Sequence, residues 1–465
     1  MVALLLSWQA HASLPVTKIA SGSIAIQSYF LTADGRAWTT GGTSGISPNG
    51  LDLPVGQFTF NRPEQILLPN ITAMSGGYLF TYVLLADGTV WGSGAPGTPQ
   101  ITNFNFGAVA PLPINEVIAV AAGYRHGLFI RADGSLWGVG YNFSGQLGDG
   151  ITYSGAPGGP TTPEQIVSAN VKAVAAGRDH SLFLKTDGSL WGMGSQSHGQ
   201  LGDGRPGFTQ YGAPSSFLFT NLPEQIVSGN VVAIAAGGEH SLFLKSDGSL
   251  WGMGWNLNGQ LGIGNFISTN VPMLITASNV VAIAAGENHS LFLMSDGSMW
   301  GMGLDSEGQL GTWPTNFVGA GIDVPVMLVP GDVVAIAAGE YHSMYLKSDG
   351  SLWAFGLNAQ GQLGDGFYPE NEFADLEVPE QIYPVPQPFL EQAVSNGTDL
   401  QFKVNAGFGG TYYLLSSTNI NLAANQWTPV CTNQVLYRSV SQFSMTLSNV
   451  IPTCGPQQFF QLRVE

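Results

Sequence analysis

Charge is scarce in this sequence. Only 10% of its 465 residues are Asp, Glu, Lys or Arg, against roughly a quarter in an average globular protein. Lys and Arg together number 14 and face 31 Asp and Glu, for a net charge of −17. Nucleic-acid binding takes its affinity from Lys and Arg that neutralise phosphates, so no nucleic-acid partner is predicted. Long apolar runs are missing too. No stretch reaches the ~18 consecutive apolar residues of a membrane span, and none is predicted. Cysteine is nearly absent: Cys431 and Cys454 are the only two. They are a disulfide candidate if the chain is exported, although sequence does not fix whether their Cα atoms lie within the ~7 Å that bridging needs.

What is present points to strands. Hydrophobic residues make up 44% of the chain, too many for disorder at this low charge. Glycine numbers 63, about twice the usual ~7%. Many glycines, many aromatics and few charges suit short strands joined by tight turns, and so an all-β protein.

The chain opens MVALLLSWQAHASLP. Val2 to Trp8 is apolar, and Ala10-His11-Ala12 fits a small-x-small cleavage site. This predicts a signal peptide over 1–12 and a secreted or cell-surface protein, although the basic n-region is missing. The plainer alternative is a disordered or strand-forming leader.

Repetition dominates the rest. Asp-Gly recurs at Asp34, Asp87, Asp133, Asp187, Asp247, Asp296 and Asp349, spaced 46–60 residues apart. A Trp follows four residues later each time: Trp38, Trp91, Trp137, Trp191, Trp251, Trp300 and Trp353. The clearest unit is NVVAIAAGGEHSLFLKSDGSLWGMGWNLNGQLGIGN at 230–265. Its apolar run 231–236 reads as a strand buried on both faces, and His240 to Lys245 as a second. Ser-Asp-Gly makes a tight turn, and the Trp lies on a third strand. Pro-Glu-Gln-Ile at 63–66, 163–166, 223–226 and 379–382, with variants at 272–275 and 325–328, supplies a fourth. Four short antiparallel strands, repeated seven times, predict a seven-bladed β-propeller over 13–383. Closure stays open at this point. If 378–383 is the fourth strand of its own blade, the ring closes by packing alone; if it joins blade one, it latches the ring.

The units resemble the regulator of chromosome condensation repeat. The resemblance rests on Ala-Ala-Gly-x-x-His, on Asp-Gly-x-x-Trp-x-x-Gly, and on Gly-Gln-Leu-Gly at 145–148, 199–202, 259–262, 308–311 and 361–364. It covers about 16–383. The first two units depart from it. Gly-Gln-Leu-Gly is absent there, Gln27 and Phe80 fill the His slot, and unit one carries a small insertion near 21–24. Nucleotide exchange on the Ran GTPase, the family's founding activity, is disfavoured because the predicted export places the protein away from such a GTPase, and the acidic charge disfavours chromatin. Light sensing as in the related plant photoreceptor is disfavoured because no Trp precedes the repeat His.

Several residues are candidates for function. His126, His180, His240, His289 and His342 occupy one slot of the repeat, a blade apart. That separation suits a structural role and not a metal site, whose ligands converge at about 2 Å. The hairpin tryptophans and aspartates also read as structural. No nucleophile elbow, phosphate loop or His-Glu-x-x-His appears, so no cofactor and no metal are predicted. The pair before each His varies while its flanks do not: Tyr124-Arg125, Arg178-Asp179, Gly238-Glu239, Glu287-Asn288 and Glu340-Tyr341. Repeat geometry sets these pairs in a ring on one face, where variable residues on a fixed frame suit binding. Aromatic loops after Gly-Gln-Leu-Gly, with Trp313 and Tyr368 among them, form a second variable region. His198 lies in a loop with no partner that the sequence names.

From 384 the pattern changes. A proline-rich linker at 384–390 leads into alternating stretches that predict a small β-sandwich at 391–465. The leading functional expectation is an exported interaction protein that binds a protein, or a glycan, through variable loops. Two alternatives stand beside it. One is a polysaccharide-active enzyme with its site at the channel mouth, for which Glu239, Glu287 and Glu340 are the carboxylates to inspect. The other is a self-assembling surface layer or filament.

Overall fold

The computed structural model describes residues 15–42, 59–78, 80–93, 109–152, 158–205, 218–312, 321–365 and 375–383. Beyond these it describes 389–396, 399–405, 410–417, 428–435, 442–447 and 459–464. All regular structure among them is β-strand. Seven four-stranded antiparallel sheets follow one another along the chain, at 16–66, 71–111, 117–167, 171–227, 231–276, 280–329 and 333–383. These are the seven blades of a propeller, numbered 1 to 7 in that order. Blade 5 shows the pattern: Val231–Ala236, His240–Lys245, Leu250–Gly254 and Thr269–Thr276. Blade 2 ends on a shorter fourth strand, Val109–Pro111.

Each strand reflects its composition. The second strands, such as His240–Lys245, are buried along nearly their whole length between neighbouring blades. Their apolar side chains interleave with the next blade: Leu242, Leu244 and Leu250 of blade 5 pack with Val280, Phe292 and Met302 of blade 6. The hairpin after each second strand is closed by its Asp. Asp247 Oδ1 accepts both the backbone N–H and the hydroxyl of Ser249, and Ser249 Oγ accepts Trp251 Nε1–H at 2.9 Å. The same chain recurs from Asp133, Asp187, Asp296 and Asp349 to Trp137, Trp191, Trp300 and Trp353. Each of these aspartates is held below the ordinary carboxylate range, by the hydroxyl first. The Trp stacks on an aromatic of the second strand, as Trp251 does on Phe243 at 6.2 Å between centroids. A cation covers it: Lys245 Nζ lies 4.1 Å from the Trp251 ring. Trp91, in blade 2, packs against the cluster of Ile71, Met74 and Val83.

Between blades the chain turns on a single left-handed residue. Asn70, Asn170, Asn230, Asn279 and Asp332 have φ of 55–69°. Asn and Asp tolerate this region better than other side-chain-bearing residues. The next N–H then binds back to the preceding hairpin, as Val231 N–H does to Gly188 O at 3.0 Å.

The ring closes without strand exchange. Asp375–Tyr383 is the fourth strand of blade 7, and Val16–Ala20 is the first strand of blade 1. Packing is not alone in closing it, because hydrogen bonds join blades 7 and 1. Val16 N–H reaches Gly350 O at 3.2 Å, and Glu340 N–H reaches Ala25 O at 3.0 Å.

The chain divides into two compact units, and the second includes 381–465. Its strands pair as two three-stranded antiparallel sheets, one of Phe389–Asn396, Asp399–Asn405 and Gln442–Leu447, the other of Gly410–Ser417, Thr428–Val435 and Phe459–Val464. Cys454 and the leader 1–12 lie outside the described residues, as do Trp313 and Tyr368.

Candidate functional site: the loop-pair face

The blade frame at this site is a relay between neighbours. His126, His180, His240, His289 and His342 are fully buried. Their Nε2 atoms lie 2.8–3.0 Å from Ser181, Ser241, Ser290, Ser343 and Ser28 of the next blade. Each serine hydroxyl donates in turn to the carbonyl of the glutamine in Gly-Gln-Leu-Gly. Those acceptors are Gln146, Gln200, Gln260, Gln309 and Gln362, each at 2.7 Å. Since the hydroxyl proton is used there, the serine oxygen accepts from His Nε2–H. That fixes the tautomer. The His342–Ser28–Gln362 relay is the one that joins blade 7 to blade 1. Burial drives the histidines toward the neutral form, to about 3 for His126, His240 and His289 and about 4 for His180 and His342.

The glycine of Ala-Ala-Gly-x-x-His follows from this relay. A Cβ on Gly237 would overlap the imidazole of His240, and the same holds at Gly123, Gly177, Gly286 and Gly339. Its N–H bonds the carbonyl of the same His, Gly237 N to His240 O at 2.9 Å. The two residues between are therefore held out on a tight turn.

Blades 1 and 2 solve the same contact differently. Phe80 stands in the His slot of blade 2, and Gly127 stands where blade 3 would carry the serine. Tyr82 fills the space: a Cβ on Gly127 would run into its ring. Tyr82 packs edge-on against Phe80 at 5.3 Å and Phe129 at 5.0 Å. Donor and acceptor have been replaced together, which leaves no polar group stranded. Between blades 1 and 2, Tyr29 hydroxyl bridges Gln27 Oε1 at 3.2 Å and Thr81 Oγ1 at 2.5 Å.

Strand direction puts both variable regions at one end of the blades. The first-to-second and third-to-fourth connections emerge together, opposite the Asp-Gly hairpins. Backbone bonds tie them: Tyr141 N–H to Arg125 O, Ser195 to Asp179, Trp255 to Glu239, Leu304 to Asn288 and Leu357 to Tyr341, at 2.7–2.9 Å. Most of the aromatic loops lie outside the described residues, but Phe219 and Phe266 are described and exposed. The insertion in blade 1 has a clear place. Ser23, Ile24 and Ala25 are buried, and Ser23 Oγ reaches the Ala176 carbonyl of blade 4 at 3.4 Å. This segment is a plug at the loop-pair end that reaches from blade 1 to Gly76 of blade 2, Ala176 of blade 4 and Glu340 of blade 7.

Around that plug the pair residues interlock. The N–H of each first residue bonds the next blade: Tyr124 to Gly177 O, Arg178 to Gly238 O, Gly238 to Glu287 O and Glu287 to Glu340 O, at 3.0–3.4 Å. Arg178 is the hub. Its Nη2 donates to Glu287 Oε1 two blades away, and its guanidinium lies 5.4 Å from the Tyr124 ring. Gly238, on the blade between, permits that reach, because a Cβ there would crowd Glu287 Cγ. Tyr124 also meets Tyr78 at 4.6 Å between rings and carries Arg125 over it at 5.2 Å.

Carboxylates surround the hub. Asp179 accepts from Gln146 Nε2 at 3.2 Å; burial, then the charge of Glu239, raises it, while Arg178 and Arg125 hold it back. Glu239 Oε2 lies 2.6 Å from His198 Nδ1, and the His198 ring sits edge-on to Trp255 at 4.5 Å. Burial alone would raise Glu239, but His198, Arg178 and His180 turn its net shift downward. Burial pushes Glu340 up to about 7, with Arg178 in partial opposition. Burial, then Glu340, raises Tyr341. Asn288 and Tyr341 are half-buried beside them and Arg125 is exposed. Tyr78, His198 and Trp255 are members that the repeat pattern did not single out. Tyr78 falls in a unit without the His, and the other two lie in the loop region, where the repeat offers no fixed position.

Two profiles of the regulator of chromosome condensation (RCC1) repeat match the chain. One matches 133–184, 187–244, 247–293 and 296–346; the other matches 117–146, 171–200, 231–260, 280–309 and 333–362. Among curated proteins, the probable E3 ubiquitin-protein ligase HERC6 of Homo sapiens is 32% identical over 255 residues, 51% of this chain and 23% of that one. The ultraviolet-B receptor UVR8 of Arabidopsis thaliana is 32% identical over 106 residues, 22% of each. These matches span less than a quarter of the relatives' length. Among solved structures, Prp20p from Saccharomyces cerevisiae aligns with a TM-score of 0.62 and 22% identity, covering 76% of this chain and 87% of that one. Human WBSCR16 aligns with 0.62 and 24%, covering 76% and 95%. At these identities the structural likeness speaks for the fold.

Proposed function

Because the chain belongs to the regulator of chromosome condensation (RCC1) repeat family, we propose that it is a binding protein that holds a protein partner on its loop-pair face. One observation carries the reading. Frame and display are separate: buried relays fix the turn in five blades, while the pairs they hold out differ in every blade. Tyr124, Arg125, Arg178 and Tyr341 lie on that display, and Tyr and Arg are the residue types enriched at interface hot spots. Prp20p, of the same fold, has been described binding Gsp1p and histones, and a protein partner suits this chain too. The apolar leader at 1–12 supports a place outside the cell. A hydrolytic role draws less support. Glu239 and Glu287 are each engaged by an internal partner, His198 and Arg178, and the plug residues Ser23, Ile24 and Ala25 lie buried at the same end.

The test is capture from the producing cells or their surroundings with three forms of the protein. Tyr124→Ala/Arg125→Ala/Tyr341→Ala is expected to lose a partner that the parent retains. A hairpin-face variant, Asp34→Ala/Arg36→Ala, and a chain truncated after 383 are expected to retain it. Loss with the hairpin variant or the truncation, and retention by the face variant, contradict the reading.

A further inference from the structure

We propose that the hairpin end of blade 1 binds the C-terminal end of a peptide chain, its carboxylate on Arg36 and an apolar last side chain on Leu67. The site lies at the opposite end of the blades from the loop pairs and is independent of the protein contact placed there. It arises where one junction between blades departs from the others. Among the described residues, six of the seven junctions share a hydrogen bond. The first N–H of a blade's first strand donates to the hairpin glycine of the preceding blade, from Val117 N–H to Gly88 O at 2.9 Å to Val16 N–H to Gly350 O at 3.2 Å. A Cβ on each of those six glycines would fall 2.4–3.1 Å from the chain entering the next blade. Ile71 and Gly35, at the junction of blades 1 and 2, make no such bond. A Cβ on Gly35 would meet nothing within 4 Å. The hairpin stands off, and a cavity of about 500 Å³ opens there, lined by 34–36, 65–72 and 86. That volume lies in the ~300–1,000 Å³ range of ligand pockets.

The residues around this gap also leave the repeat. Arg36 stands where blades 3 to 7 place the serine that receives the Trp N–H, and Leu67-Leu68-Pro69 stands where blade 4 has Val227-Ser228-Gly229. Three chemical features result. Ile71 N–H and the Gly35 carbonyl, committed to each other's equivalents at the other junctions, are a donor and an acceptor facing the gap. Such a pair suits a peptide backbone. Arg36 Nε lies 3.0 Å from Asp34 Oδ2, while its two Nη groups meet no acceptor among the described residues. They are open to a carboxylate, which a guanidinium holds through two parallel N–H bonds. Lys18, whose Nζ donates to the Thr72 carbonyl at 3.1 Å, adds a second positive charge at the edge. Leu67 is 59% exposed, with Pro69 exposed beside it. An apolar terminal side chain covers that surface. A fatty acid would supply carboxylate and apolar tail, but it has no N–H for the Gly35 carbonyl.

The full-length protein is titrated with an N-acetylated tripeptide ending in leucine, with its C-terminal amide and with hexanoate, followed by NMR. The free acid is expected to bind at least about tenfold more tightly than the amide or hexanoate. Its amide shifts are expected at 34–36 and 65–72 and not at the loop pairs. Arg36→Gln is expected to weaken binding at least about fivefold. Lys172→Gln, which removes the same charge from an exposed position on the first strand of blade 4, is expected to change it less than about twofold. Melting curves establish that both variants fold. Equal binding of the amide, hexanoate binding as tightly as the peptide, equal effects of the two substitutions, or no binding up to about 10 mM overturns the proposal.

Discussion

Replacing His240 by Phe is expected to lower stability by about 2–4 kcal/mol, and adding Leu242→Tyr and Ser290→Gly is expected to restore most of that loss. His240 lies against Ser290, and Ser290 against the Gln260 carbonyl. The single change drives a larger ring into the serine and removes its donor. The triple change copies the contact that the chain already builds between blades 2 and 3, where Phe80, Tyr82 and Gly127 stand at the equivalent positions. Phe292 is already present to receive the new Tyr, as Phe129 receives Tyr82. Urea denaturation of the parent, single and triple variants checks this. A triple variant no more stable than the single one would mean that the two interface types are not interchangeable units.

Acid is expected to destabilise this protein well above the range of ordinary carboxylates. The five relay histidines are neutral when folded, with values near 3 to 4. In the unfolded chain they titrate near 6.5. Below that pH the unfolded state therefore binds protons that the folded state refuses. Stability is fully present above about 6.5 and falls as pH drops toward 4, by up to about 1.4 kcal/mol per pH unit for each histidine. Glu340 acts in the opposite sense. Its folded value of about 7 lies above its unfolded one, so its contribution is present in acid and is lost as pH rises through 7. Asp179, Asp305 and Glu380, also raised, oppose the histidines in the same way over the lower part of the window. Unfolding near pH 5 should take up a net three or four protons, a slope of roughly 4–5 kcal/mol per pH unit. The turn aspartates, held low, enter only below about pH 4. Stability measured at pH 7, 6, 5 and 4.5 distinguishes the two: a curve flat to pH 4.5 would exonerate the histidines.

Much of this was legible in the sequence because it recurs. The Asp-Gly turn, the Trp four residues on and the His slot stand at fixed offsets, and seven copies make their strands plain. The relay was half legible. The Ser after His180, His240, His289 and His342 was there to see, and so was its paired loss at Phe80 and Gly127, two residues in different units. What hid it is that a hydrogen bond between blades has no fixed spacing in sequence. Closure was ambiguous for a related reason. Pro-Glu-Gln-Ile reads equally well at either edge of a blade, and only the pairing of 375–383 decides. The plug was visible as an insertion near 21–24, but its reach to Ala176 depends on ring geometry. The loop pairs could be placed on one face from repeat logic. That Arg178 joins Glu287 across Gly238 required coordinates, because the link skips a blade.

The most direct test of the frame-and-display account is hydrogen exchange of the protein with and without a captured partner. Slowed exchange is expected at 124–125, 178–179, 238–239, 287–288 and 340–341, with the Asp-Gly hairpins and the strands from 389 onward unchanged. Slowed exchange confined to the hairpins or to 389–464, with the five loop pairs unaltered, would contradict it.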